Sequence, residues 1–145
     1  FLKYNLEIGV KKVKTNHVYL DRDRKEFISY NDREISFNEL NDDKKSKYLK
    51  FEKWYFTKLE ELTALVKENG SIPIFVTQTT GYGHSFESFI VARTITKHCS
   101  EYKLICLNLA KDLELEYQDF YDENHVNVSG SKKVAEYIYS NILIF

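Results

Sequence analysis

The chain has 145 residues, of which 43% are hydrophobic and 30% charged, with a formal net charge of -1 at pH 7. That length fits one domain or part of one, and the composition excludes a disordered chain. The charge balance offers no electrostatic case for nucleic acid as a partner, and no apolar run is long enough to span a membrane. No Met occurs anywhere, and the chain opens on Phe1-Leu2. Phe1 therefore reads as an internal residue of a longer protein, and the opening residues carry no information on a signal peptide.

Residues 1–39 read as strand and turn. Val18-Tyr19-Leu20 has strand character, and Asp21-Arg22-Asp23-Arg24-Lys25 reads as a solvated turn. Alternation at Phe27 and Ser29, and again at Ile35 and Phe37, predicts a β-hairpin about Asn31-Asp32. From Asn41 a long helix is predicted, capped by Asn41 or Asp42. Its apolar stripe is Tyr48, Phe51, Tyr55, Leu59, Leu62 and Val66, at spacings of three and four, and reads as a packing face. Asn69-Gly70 is the stop.

Ile72-Pro73-Ile74-Phe75-Val76-Thr77 is short, β-branched and almost wholly apolar, the pattern of a strand covered on both faces. A loop over Gln78–Gly83 and a second helix over 85–99 follow. Lys103–Leu109 reads as a second buried strand, and residues 110–116 as a short helix. A polar loop then leads into a helix over Ser131–Ile142, with Val134, Ala135, Ile138 and Ile142 inward. Helix, strand, helix, strand, loop, helix is an α/β order with a parallel sheet. Two buried strands cannot form a free-standing parallel sheet, because faces and edges need cover. The chain thus reads as an insertion over 1–39 followed, over 40–145, by the C-terminal part of a larger α/β domain. Cys99 and Cys106 fall on different elements without metal-type spacing, and read as reduced, partly buried thiols.

The segment richest in chemistry is Phe120-Tyr121-Asp122-Glu123-Asn124-His125-Val126-Asn127-Val128-Ser129-Gly130. Asp122 and His125 sit three apart in a loop before the last helix. A carboxylate beside an imidazole fixes its tautomer and stabilises the imidazolium, which makes His a usable general base. The loop follows a strand, and the carboxyl ends of strands carry the sites of open α/β sheets. Asn127 or Ser129 can cap the last helix, and Gly130 permits close approach of that helix to its neighbour. D-x-x-H by itself equally describes an Asp capping a turn beside an exposed His.

The full pattern, Phe120-Tyr121-Asp122-x-x-His125-x-Asn127-x-x-Gly130-x-x-x-Val134-Ala135, resembles the last segment of the SGNH/GDSL hydrolase family. Ile72–Thr77 with Gln78-Thr79 looks like that family's fourth strand. Leu104–Leu109 with Ala110-Lys111-Asp112-Leu113 looks like its fifth. The resemblance spans about residues 45–142. It implies a three-layer α/β/α flavodoxin-like sandwich with a parallel sheet, and a serine esterase in which Asp122 and His125 are two members of a Ser-His-Asp triad. It implies no metal and no organic cofactor, and an ester substrate, such as an O-acetylated carbohydrate or a lipid ester. The family's Gly-Asp-Ser nucleophile segment, its oxyanion Gly and its Gly-x-Asn-Asp segment do not occur here. The nucleophile would therefore lie outside this chain, and the remaining half of the domain, or another chain, would cover the sheet edge.

Gln78 and Gly81, in the loop after the first strand, are the candidate substrate-binding residues. Gly81-Tyr82-Gly83 fails the G-x-G-x-x-G spacing of a dinucleotide loop. His84 reads as a helix-start or surface histidine, and a metal site from Asp122, His125 and His84 lacks a fixed spacing and a dependable third ligand. The second functional class compatible with the chain is a non-catalytic α/β module that binds a partner through the face left by missing strands.

Overall fold

The computed structural model describes residues 26–142. Its elements are α1 (Tyr30–Asn38), α2 (Asp42–Glu68), β1 (Ile74–Val76), α3 (Phe86–Tyr102), β2 (Ile105–Leu107), α4 (Leu109–Asp112), a 3-10 turn (Tyr117–Asp119) and α5 (Val128–Ile142). The fold is mixed α/β and mostly helical. Among the described residues the sheet has two strands, β1 and β2, which run parallel with Phe75 opposite Cys106 and Val76 opposite Leu107.

The predicted hairpin around Asn31-Asp32 is a helix instead. The Ser29 hydroxyl accepts from Asp32 N at 3.1 Å and donates to Asp32 Oδ2 at 2.6 Å, so these residues start α1. Tyr30 and Phe37, seven apart, are its buried residues, while Ile35 is 59% exposed. That is the period of a helix, and it replaces the alternation of a strand. Val18–Leu20 and Asp21–Lys25 lie outside the described residues.

Asn41 caps α2 by accepting from Lys44 N at 3.0 Å, and Gly70, at φ 73, takes the left-handed conformation that ends it. The buried face of α2 is rotated from the predicted stripe. Glu52, Leu59 and Thr63 are buried, whereas Phe51 and Leu62 are exposed. The reason is polar pairing across to α3: Glu52 faces Arg93 and Lys97 at 3.7 Å each, and Thr63 Oγ1 meets His98 Nε2 at 2.8 Å. Around these pairs, Leu59, Ile95 and Cys99 form one core cluster with Tyr55, Phe75 and Val91. A second cluster joins Tyr30 and Phe37 of α1 to Phe89, Ile90 and Ala92 of α3.

The strands occur where predicted but are shorter, and β1 is not covered on both faces by the described residues. Phe75 packs inward, while Ile74 and Val76, on the alternate face, are 44% and 42% exposed. The helix predicted over 110–116 is the single turn α4. α5 begins earlier than predicted; Val134 and Ile138 are half-buried, but Ala135 and Ile142 are exposed. No helix among the described residues is long and apolar enough to cross a membrane.

Candidate functional site

The segment from Glu116 to Gly130 is built on one buried carboxylate, Asp119, which is 1% exposed. Asp119 accepts from Lys133 Nζ at 2.7 Å, from Ser129 Oγ at 3.0 Å and from Glu116 N at 3.0 Å. These donors outweigh burial and hold its carboxyl below the usual carboxylate range. Asn127 completes the frame. Its side-chain oxygen accepts from Ser129 N at 2.9 Å and Gly130 N at 3.2 Å, capping α5, while its amide donates to Gln118 O at 2.6 Å. Gly130 lies directly on Asp119, where a Cβ would overlap the Asp119 carbonyl oxygen. A glycine is needed here for close approach.

The loop carried on this frame closes through Tyr121 N to His125 O at 2.8 Å and a bridge between Phe120 and Val126. Inside it, Asp122 Oδ1 accepts from Asn124 N at 2.8 Å and His125 N at 2.9 Å. Both Asp122 carboxylate oxygens stand 2.9 Å from His125 Nδ1. A carboxylate only accepts, so Nδ1 carries the proton and Nε2 is left as the outward nitrogen. The backbone N–H of Asn124, then the imidazole of His125, pull the Asp122 carboxyl below its ordinary value. The pair stands on open surface, with the His125 side chain 76% and the Asp122 side chain 51% exposed.

Gln78 and Gly81 sit against the same loop. Gly81 N donates to Glu123 O at 2.9 Å, and Gln78 Nε2 donates to Asn124 O at 3.3 Å. Gly81 is buried and its N–H is occupied by the loop, so it acts on Asp122 and His125 by holding the turn between them. The structure therefore brings all four predicted residues to one place, at the carboxyl end of β1 and β2. Thr77 joins the two strand ends, its hydroxyl donating to Asn108 Oδ1 and accepting from Ala110 N, each at 2.9 Å.

His84 is not at the surface. It directly precedes Ser85, the N-cap of α3, but is 2% exposed, with Nε2 3.2 Å from Ala110 O and Nδ1 unpartnered. Burial lowers its pKa. It lines a cavity of about 340 Å³ with Tyr30, Thr79 and Lys111, and another of about 370 Å³ with Arg33, Thr80 and Glu123 of the Asp122–His125 loop. Among the described residues no group of three or more His, Cys, Asp or Glu is placed to hold a metal ion. Sequence reasoning missed Asp119 and its Lys133 partner. Their spacing, fourteen apart across a turn and a helix start, is no recurrent signature, and only the fold reveals the pair. No protein-family model, curated protein or solved structure matches the chain.

Proposed function

We propose that this chain is the C-terminal portion of an SGNH-type serine esterase or deacylase, with Asp122 and His125 as triad partners of a Ser outside it. The observation that carries the reading is the Asp122–His125 pair itself: a carboxylate with both oxygens 2.9 Å from Nδ1, at the carboxyl end of a parallel strand pair. In this mechanism the Ser hydroxyl attacks an ester carbonyl, and His125 Nε2 takes its proton. His125 then gives that proton to the leaving alcohol, and water repeats the cycle on the acyl-enzyme. Asp122 holds the tautomer that leaves Nε2 ready. No metal or organic cofactor enters the reaction, and the substrate is an ester of a carbohydrate or lipid. The open face of β1, with Ile72, Ile74 and Val76 exposed, supports a larger three-layer flavodoxin-like domain whose further strands cover it.

The test is hydrolysis of p-nitrophenyl acetate by a parent protein that carries an upstream Gly-Asp-Ser segment. His125→Ala there is expected to lose roughly three orders of magnitude or more in kcat, since triad members act as a unit. The chain alone is expected to be inactive. Turnover by the chain alone that survives His125→Ala would overturn the assignment.

A second reading, a non-catalytic α/β binding module, draws on the 76% exposure of the His125 side chain, which no enclosing wall shields. A parent protein without a nucleophile segment, inert toward esters yet retaining the Asp122–His125 hydrogen bond, would favour it.

A further inference from the structure

Cys99 lies in the last turns of α3, and Cys106 is the middle residue of β2. The chain between them reverses through Lys103, a non-glycine residue in the left-handed conformation at φ 50, and through a hydrogen bond of 2.9 Å from Leu104 N to Cys99 O. This tight reversal lays β2 back along the end of α3. Cys106 pairs with Phe75 across the sheet, and Phe75, Leu104 and Cys106 pack on the cluster of Leu59, Ile95 and Cys99. The face of β2 that carries Cys106 is therefore the face toward α3. Both thiols are reduced and belong to this one packed cluster, Cys99 being 4% exposed and Cys106 half-buried.

We propose that Cys99 and Cys106 form a redox-active dithiol, a modification site that closes to a disulfide between α3 and β2 under a peroxide oxidant. Cys106 is the attacking residue, being the more accessible. The neighbouring Cys99 thiol holds the Cys106 thiol below its ordinary value, and Cys106, with burial, pushes Cys99 up. The Cys106 thiolate attacks one peroxide oxygen. An S–O bond forms, the O–O bond breaks, and the departing hydroxide takes a proton and leaves as water. Cys106 is then a sulfenic acid. The Cys99 sulfur attacks the Cys106 sulfur, an S–S bond forms, and the S–O bond breaks. The hydroxide leaves with the Cys99 proton as a second water. The two thiols lose two electrons, and the peroxide gains them.

This inference is independent of the esterase reading, because it concerns the core beneath the sheet and needs no nucleophilic Ser. Hydrogen peroxide on the purified chain, followed by thiol counting under denaturing conditions and peptide mass mapping, tests it. Both thiols are expected to disappear together, with a Cys99–Cys106 peptide pair lighter by two hydrogens, in a monomer. The oxidised chain is expected to melt several degrees higher than the reduced one, because a cross-link restricts the unfolded state. That shift is expected to vanish in Cys106→Ser. Cys99→Ser is expected to let dimedone trap a sulfenic acid on Cys106. Either serine variant keeps the size of the side chain, and circular dichroism checks its fold. Peroxide that oxidises a control thiol peptide but leaves both cysteines reduced would overturn the proposal. So would oxidation that yields only sulfinic or sulfonic acids, or only intermolecular dimers.

Discussion

The interior between α2 and α3 and the Asp119–Gly130 segment each hold a histidine with one polar side-chain partner, and they use it in opposite ways. His98 is 0% exposed, faces Thr63 at 2.8 Å, and is ringed by Phe56, Phe75 and Tyr102. Burial lowers its pKa, so it is held neutral as a packing residue with a single hydrogen bond. His125 faces a carboxylate at 2.9 Å and is open to solvent. The side-chain chemistry is the same. What differs is access: one imidazole is shut off from solvent, and the other presents Nε2 to it. The loop affords this because its rigidity comes from Asp119 beneath it and needs nothing from His125.

That division of labour can be broken from below. Gly130→Ala forces a Cβ into the Asp119 carbonyl oxygen, and the helix start must shift away from the carboxylate that anchors it. A loss of about 3 kcal/mol is expected by urea denaturation, the scale of overpacking. The variant is also expected to show a weakened Asp122–His125 contact, seen as loss of the Nδ1–H resonance. A variant as stable as the parent would mean that the loop frame does not depend on Asp119.

In the helical interior, Thr63→Val removes the partner of His98 while keeping the shape. It leaves a buried imidazole nitrogen unsatisfied, at a cost of about 1–3 kcal/mol. The unfolding midpoint measures it, and an unchanged midpoint would show the pair to be dispensable.

Acid sharpens the same contrast. His84 and His98 have folded-state pKa values lowered by burial, so the unfolded chain binds their protons more tightly. Their contribution is complete above the unfolded value of about 6.5 and is lost as pH falls below it toward the lowered values. Denaturation midpoints are expected to fall from pH 7 to pH 5, with a shallower slope in His98→Gln. An equal slope in the variant would remove His98 from the account.

The smallest effect on the fold belongs to the exposed pair. Asp122→Asn is expected to leave the unfolding midpoint close to the parent's, because the carboxylate bonds only within its own loop. It is expected to free the imidazole to adopt both tautomers, visible in two-bond nitrogen–proton spectra. A single retained Nδ1–H tautomer would show that something other than the carboxylate sets it.

The order of elements from α2 onward, the length of α2, the parallel strand pair and the grouping of Asp122 with His125 were legible in the sequence. Each depends on local pattern: apolar spacing at helical period, short β-branched runs, and two residues three apart in one turn. The hairpin was misread because Phe27/Ser29 and Ile35/Phe37 each alternate over too short a window to separate a strand from a capped helix. The cap at Ser29 and the burial of Tyr30 and Phe37 against Phe89 decided it.

Local propensity and periodicity act between near neighbours, so the sequence by itself determined that α2, β1, α3 and β2 form in that order and which loop holds the imidazole and its carboxylate. Tertiary structure decided which polar groups are buried. Glu52 sits against Arg93, His84 under α1, Asp119 on Lys133, and Cys99 beside Cys106. Those pairings join residues brought together only by packing, and burial is a property of the neighbours a residue acquires on folding, which no short window of sequence contains.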